Sequence, residues 1–392
     1  MMRAKCFAIA ALVLMAASME NRLSGQENSS QRPVAIESPA VDAERKVSFR
    51  LRAPNAEKVR LTGGDMPQIG GGVDLSKGEN DIWEITLGPV DPGAYRYRFD
   101  IDGVATVDPV NPATSESNTN VWSLVHIPGA DWVDAKGVPH GAVAEVFYDS
   151  KSLGSTRRMH VYTPPNYEPD TSKMIFTLPS FPVLYLLHGS SDSDDAWTTV
   201  GRAGFILDSL IASGEAQPMI VVMPAGHTRR GPGGRGTGIG DEFAQDFLQD
   251  IMPYVETHYR VKEGRENRAI AGLSMGGGQT LNIAMLEPES FAYVGVFSSG
   301  VFGRGGSNST DAGPSWEEVH KDVLENDQTK QGLKLMWFAT GKDDFLVERS
   351  RATVEMLKKH NFDVVYRETE GAHTWIKWRD YLREFAPQLF KN

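Results

Sequence analysis

Two rhythms of apolar and polar residues divide the chain. In "DIWEITL" (81–87) Ile82, Glu84 and Thr86 alternate with Trp83, Ile85 and Leu87. In "AYRYRFDI" (94–101) Tyr95, Tyr97, Phe99 and Ile101 alternate with Ala94, Arg96, Arg98 and Asp100. A period of two predicts half-buried strands, with one face on a core and the other toward solvent. The intervening "GPVDPG" is turn chemistry, and Asp102-Gly103 predicts a hairpin into "VATVDP". Residues 41–128 show no convincing helical pattern, so this stretch is expected to form a small all-β sandwich domain.

The rhythm changes after "PGADWVDAKGVPHG" (128–141), whose Pro, Gly and Asp predict a linker. "FPVLYLLHG" (181–189) and "PMIVVMPAG" (218–226) are nearly continuous apolar runs, as strands covered on both faces require. Helical segments stand between and after them: "FLQDIMPYVETHY" (247–259), "QTLNIAMLE" (279–287) and "LVERSRATVEMLKKH" (346–360). The alternation predicts an α/β architecture, a mostly parallel sheet with helices on both sides. The expected division is 1–25 signal peptide, 26–40 linker, 41–128 β sandwich, 129–142 linker and 143–392 α/β domain, with no internal repeat.

Composition narrows the functions open to the chain. Its net charge of −11 is spread along 392 residues without a long basic block, which argues against nucleic acid or an anionic membrane as partner and leaves a neutral polymer compatible. Arg3 and Lys5 precede the apolar "CFAIAALVLMAAS", and polar residues follow it. That run is shorter than the ~18 to 20 apolar residues a membrane span needs, so it predicts a cleaved export signal and a secreted or periplasmic protein. Ser18 and Gly25 are both small enough to precede the cut. The only cysteine, Cys6, lies inside this segment, so the mature chain is expected to have no disulfide, thiolate metal site or cysteine nucleophile.

The candidate chemistry centres on "AGLSMGGGQT" (271–280), where Gly272 and Gly276 bracket Ser274. Such a pentapeptide arises by chance, and context decides its meaning. The apolar Ala269-Ile270-Ala271 precedes it, and a helical run up to Pro288 follows it. Strand, sharp turn and helix make a nucleophile elbow, with glycines where the two backbones crowd. An acid is then wanted after a later strand, and "LKLMWFATGKDDF" (333–345) offers Asp343 and Asp344, between which position alone does not choose. Of the later histidines, His360 stands at the charged end of a helix and reads as solvated. His373, in the loop "ETEGAHTW", stands where the last member of a Ser-Asp-His triad belongs. The backbone N–H of Met275 is one candidate oxyanion donor, and the N–H of Ser190, or failing that Ser191, is the second. His188 is expected to brace that loop. "GPGGRGTGIG" (231–240) lacks the Gly-Lys-Ser/Thr ending of a phosphate cradle and reads as a mobile loop beside the site. The nine histidines show no close ligand spacing, so no metal and no cofactor are expected.

These residues carry a resemblance. "RRMHVYTPPNY", "FPVLYLLHGSSDSDDAW", "VVMPAGHT", "DFLQDIMPYVETHYRV", "AGLSMGGGQT", "TGKDDFL" and "GAHTWIKWRDYL" together resemble the esterase D type α/β-hydrolases. Within them the likeness is to carbohydrate esterase family 1, the feruloyl and acetylxylan esterases. "LTGGDMP", "WEITLGPVDPGAYRYRFDIDG" and "DPVNP" are similar to the immunoglobulin-like, glycogen-binding-module-like domain that precedes many of these enzymes. The resemblance implies a triad of Ser274, Asp344 and His373, a plant cell-wall polysaccharide ester such as feruloylated arabinoxylan as substrate, and no cofactor. Trp197 and Trp375 place aromatic surface near the site and favour a feruloyl over an acetyl group. Trp83, Tyr95 and Tyr97 motivate sugar binding by the front domain, although aromatics in strands are usually core. "SKMIFTLPS" (172–180) departs from the family's shorter turn. Two other readings remain: a siderophore esterase, for which Arg229, Arg230 and Arg235 would supply a basic pocket, and a non-catalytic carbohydrate-binding protein.

Overall fold

The computed structural model describes residues 35–168, 178–228, 242–302 and 314–391. Residues 1–25, most of "SKMIFTLPS" and the whole of "GPGGRGTGIG", with Arg229, Arg230 and Arg235, lie outside the described residues.

The front of the chain forms two antiparallel sheets. One runs in the order Ala40–Val41, Val47–Arg52, Ile82–Leu87, Ser76–Lys77. The other runs Val73–Asp74, Val59–Thr62, Gly93–Ile101, Val121–Ile127, Thr114–Glu116, with Val104–Thr106 also on Gly93–Ile101. "GPVDPG" does not close a hairpin; it carries the chain from one sheet to the other. Asp102 and Gly103, both at positive φ, make the tight turn foreseen after Ile101. Trp83, Tyr95 and Tyr97 pack with Phe49 and Phe99 between the sheets, so these aromatics are core and cannot serve as a sugar platform.

Gly93–Ile101 departs from its sequence pattern. Ala94 and Arg96, on the face expected to meet solvent, are buried, because the α/β body covers that face. Ala94 and Leu124 belong to the same core cluster as the body's Trp197, Trp375 and Phe385. The stretch expected to be a linker also packs: Asp131–Asp134 is a helical turn whose Val133 is buried and accepts a hydrogen bond from buried Arg202.

The body is an eight-stranded sheet in the order Ala142–Ser150, Ser155–Thr163, Ile220–Pro224, Val183–Leu187, Arg268–Leu273, Tyr293–Phe297, Leu335–Gly341, Val364–Thr369. The pairings of Ser155–Thr163 on both its sides are antiparallel and the rest are parallel. From Val183–Leu187 the chain builds outward first to one side and then to the other. Ligands in open α/β sheets bind beyond the strand ends at such a reversal. Each face of the sheet carries its own apolar cluster, one under the helix Met275–Leu286 and one under Trp375–Phe385.

Candidate active site

Ser274 lies between the strand Arg268–Leu273 and the helix Met275–Leu286, at φ 52° and ψ −117°. A non-glycine residue held there is strained, and such strain persists only when its surroundings enforce it. The surroundings are close. A Cβ on Gly272 would meet the Gly276 carbonyl at 2.4 Å, and one on Gly276 would meet the His188 carbonyl oxygen at 2.6 Å. The Ser274 N–H donates to Phe297 O at 2.9 Å, and its carbonyl accepts from the Ser299 hydroxyl. The turn is thus locked from both sides, with the N-terminus of a 12-residue helix starting at Met275.

The strand Leu335–Gly341 ends where Gly341 packs on the Gly371 backbone, leaving no room for a side chain. Just beyond it the two aspartates separate. Asp343 is exposed, whereas Asp344 is buried and receives the His373 ring: Nδ1 lies 3.0 and 2.9 Å from its two carboxylate oxygens. Burial alone would raise the Asp344 carboxyl. Hydrogen bonds from His373 and the Leu346 N–H, the charge of His373 and the Ser298 hydroxyl outweigh it and hold the group below its ordinary value. A carboxylate in this position requires Nδ1 to carry the proton and leaves Nε2 with its lone pair free. Trp378 meets the imidazole edge-on at 5.0 Å between ring centroids, and the exposed Phe345 packs against it at 4.4 Å.

Facing the elbow is the turn after Val183–Leu187. The Asp192 N–H donates to Gly189 O at 3.1 Å, which puts Ser190 and Ser191 at the corners of a tight turn. A Cβ built on Gly189 would stand 3.5 Å from Ser274 Cβ, so this turn lies directly beside the serine. His188 is fully buried beneath it. Its Nδ1 bonds Gly189 O and its Nε2 accepts from the Gly226 N–H, each at 2.8 Å, while Gln279 holds Gly226 O from the helix below. Burial keeps His188 from charging, and burial lowers His227 to about 4. Both therefore stay neutral at ordinary pH, His188 as a brace.

A cleft of about 360 Å³ opens at this point. Ser190, Ser191, Asp192, His373, Trp375 and Trp378 line it from the body, and Asp65, Arg96, Asn118, Asn120 and Trp122 line it from the front domain. Of the two tryptophans expected to bind substrate, Trp375 reaches the cleft wall. Trp197 does not: it is fully buried, with its Nε1 on Leu187 O and its ring edge-on to Trp375, because closeness in sequence to the Ser190 turn put it in the core beneath that turn. His360 is not a solvated imidazole, since its Nε2 meets Glu317 at 2.8 Å. Sequence reasoning missed Asp65, Arg96, Asp192 and Trp122. One signal for them existed: the basic "YRYR" strand and the acidic "SSDSDDAW" turn are complementary in charge.

Residues 150–389 match the Esterase family, and residues 38–113 match Carbohydrate-binding module 48 (Isoamylase N-terminal domain). The chain is 32% identical over 388 residues to an endo-1,4-beta-xylanase/feruloyl esterase of Xylanibacter ruminicola, covering 96% of this chain and 49% of that relative. It thus spans about half the length of that protein. A CE1 ferulic acid esterase from Anaeromyces mucronatus, solved in complex with ferulic acid, superposes with a TM-score of 0.54 at 25% identity, over 65% of this chain and 93% of the other. The enterobactin esterase FES of Shigella flexneri superposes with a TM-score of 0.59 at 18% identity over 87% of this chain and 92% of the other, a likeness of fold alone. The chain belongs to the esterase family, and the expected α/β-hydrolase with a front β domain of carbohydrate-binding-module type is the fold it has.

Proposed function

We propose that this chain is an exported serine esterase that removes feruloyl groups from arabinoxylan, with residues 1–25 as its export signal. The observation that carries the mechanism is His373 with Nδ1 committed to Asp344, lining a cleft together with the Ser190 turn that lies beside the strained Ser274. His373 Nε2 takes the Ser274 proton as Oγ attacks the ester carbonyl, and Asp344 stabilises the imidazolium that forms. The N–H groups of Met275 and Ser190 receive the oxyanion, and each such donor contributes about 10²- to 10³-fold in rate. His373 then protonates the departing sugar oxygen, and water activated by the same imidazole releases the acid from the acyl-enzyme.

A feruloyl group is flat and aromatic and needs a slot, whereas acetyl needs almost none. The cleft beside His373 presents indole surface from half-buried Trp122, backed by the buried rings of Trp375 and Trp378 in its wall. The feruloyl esterase activity of the Xylanibacter relative and the ferulic acid esterase activity of the Anaeromyces relative support the same choice. Ser274→Ala is expected to lower turnover of methyl ferulate by about four to six orders of magnitude, with the fold unchanged by circular dichroism. Retention of a tenth of the parent activity would end the acyl-enzyme reading. Ready deacetylation of xylan with no ferulate released would instead make the chain an acetylxylan esterase.

A further inference from the structure

We propose that Arg96, in the front domain, is a positioning residue for the oxyanion-binding turn of the esterase body. The inference rests on the reading of Ser274 and the Ser190 N–H given above. Arg96 is buried, and each of its three guanidinium nitrogens has a hydrogen-bond partner. Nη1 meets Asp192 Oδ1 at 2.5 Å, Nε meets the Ser115 hydroxyl at 2.9 Å, and Nη2 meets Glu116 O at 2.8 Å. Asp192 is equally buried and closes the turn that carries Ser190, through its own N–H on Gly189 O. The same turn takes a backbone hydrogen bond from the Asn118 N–H to Ser191 O at 3.1 Å, and Ser117 forms an antiparallel bridge with Asp192.

The turn is therefore pinned at both ends by different parts of the protein. At Gly189 the body holds it through His188. At Ser191 and Asp192 the front domain holds it through Arg96 and the 117–118 backbone. A buried ion pair contributes little net stability, because removing two charges from water consumes most of what their attraction returns. What it does supply is direction: Arg96, fixed by three partners, allows Asp192 one position, and through it sets where the Ser190 N–H points. An oxyanion donor acts only when it is aimed before the reaction at the place where charge develops. A displacement of about 1 Å in such a group lowers rate by about 10²-fold.

The test uses the full chain, with p-nitrophenyl acetate as a substrate too small to need the cleft and a fluorophosphonate to count competent serines by mass. Arg96→Gln is expected to lower kcat per titrated site by about 30- to 100-fold with KM changed less than about threefold, and to slow phosphonylation in parallel, since both reactions place an anionic oxygen in the same turn. Arg96→Lys, which keeps the charge toward Asp192 but not the fork, is expected to recover part of the loss. If Arg96→Gln does not fold, the lysine variant carries the test, with about a tenfold fall in kcat expected. A kcat per site within threefold of the parent, a loss confined to KM, or a lysine variant no better than glutamine would each overturn the inference. Ser274→Ala measured alongside separates the two readings: its retained activity would bring down the mechanism, whereas an inactive Ser274→Ala with undisturbed Arg96 variants brings down only the positioning role.

Discussion

Around Ser274 the close contacts among the described residues come from the esterase body itself: Gly272 on Gly276, Gly276 on His188, the serine N–H on Phe297 O. Around the Ser190 turn and the His373 loop, partners come from the front domain. Arg96 reaches Asp192, and Asp65 accepts the Trp375 N–H at 3.1 Å, two residues past His373. Arg379, buried in the helix that follows, adds a hydrogen bond to Ala94 O. One half of the site is thus fixed by sterics within a strand-turn-helix unit, and the other by charge and hydrogen bonds from a separate β sandwich. The first arrangement tolerates almost no change in side-chain volume. The second depends on charge and hydrogen bonding.

Four substitutions or conditions sharpen that contrast. The largest expected effect separates the two aspartates. Asp344→Asn permits the wrong imidazole tautomer and is expected to lower kcat by about 10³- to 10⁴-fold, while Asp343→Asn stays within about twofold. The reverse ranking would return the role to Asp343. Gly276→Ala drives a methyl into the His188 carbonyl, and a loss of about 1–3 kcal/mol in denaturant unfolding, with turnover falling in step, is expected. An unchanged midpoint would show that the elbow has slack. Asp65→Ala removes the acceptor of the Trp375 N–H at the N-terminus of the helix Trp375–Phe385, a carboxyl that burial raises, and is expected to lower stability by only about 1 kcal/mol. A loss as large as that from Gly276→Ala would erase the distinction between the two kinds of hold.

The smallest expected effect is a pH dependence. Asp194, two residues after Asp192, is buried, which by itself would raise its carboxyl. Hydrogen bonds from His160 and Arg158 outweigh this and hold it well below the ordinary carboxylate range. A carboxyl depressed by folding contributes stability that is fully present above its unfolded value of about 4 and is lost as pH falls through that value toward the folded one. The melting temperature is expected to fall below about pH 4 in the parent and less steeply in Asp194→Asn. Equal slopes would remove Asp194 from the acid sensitivity of this loop.

The sequence made the elbow legible because its requirements are local: a strand, two glycines, a serine and a helix lie within twenty residues of one another, and the order of acid and histidine followed from the α/β pattern. It left the other half unread. Period two in "AYRYRFDI" states that Tyr95 and Arg96 face opposite ways, but it cannot state that a second body covers the arginine's face. Trp197 failed for a related reason: nearness to the Ser190 turn in sequence is no measure of which side of the sheet a side chain takes. Asp344 was separable from Asp343 only through family resemblance, since both follow the same strand and only burial distinguishes them.

The hydrogen bond from the Trp375 N–H to Asp65 joins residues 310 apart in the chain, and that from Arg379 to Ala94 joins residues 285 apart. Contacts of such span close late in folding, because the entropy of a long loop must be overcome before they form. The sandwich can complete its aromatic core, and the elbow its strand-turn-helix, before the last helix docks against Asp65 and Ala94. In a refolding experiment, burial of Trp83 in the sandwich core should therefore run ahead of recovered ester hydrolysis. On that order of events, Ser274 would be poised before the groups that use it arrive.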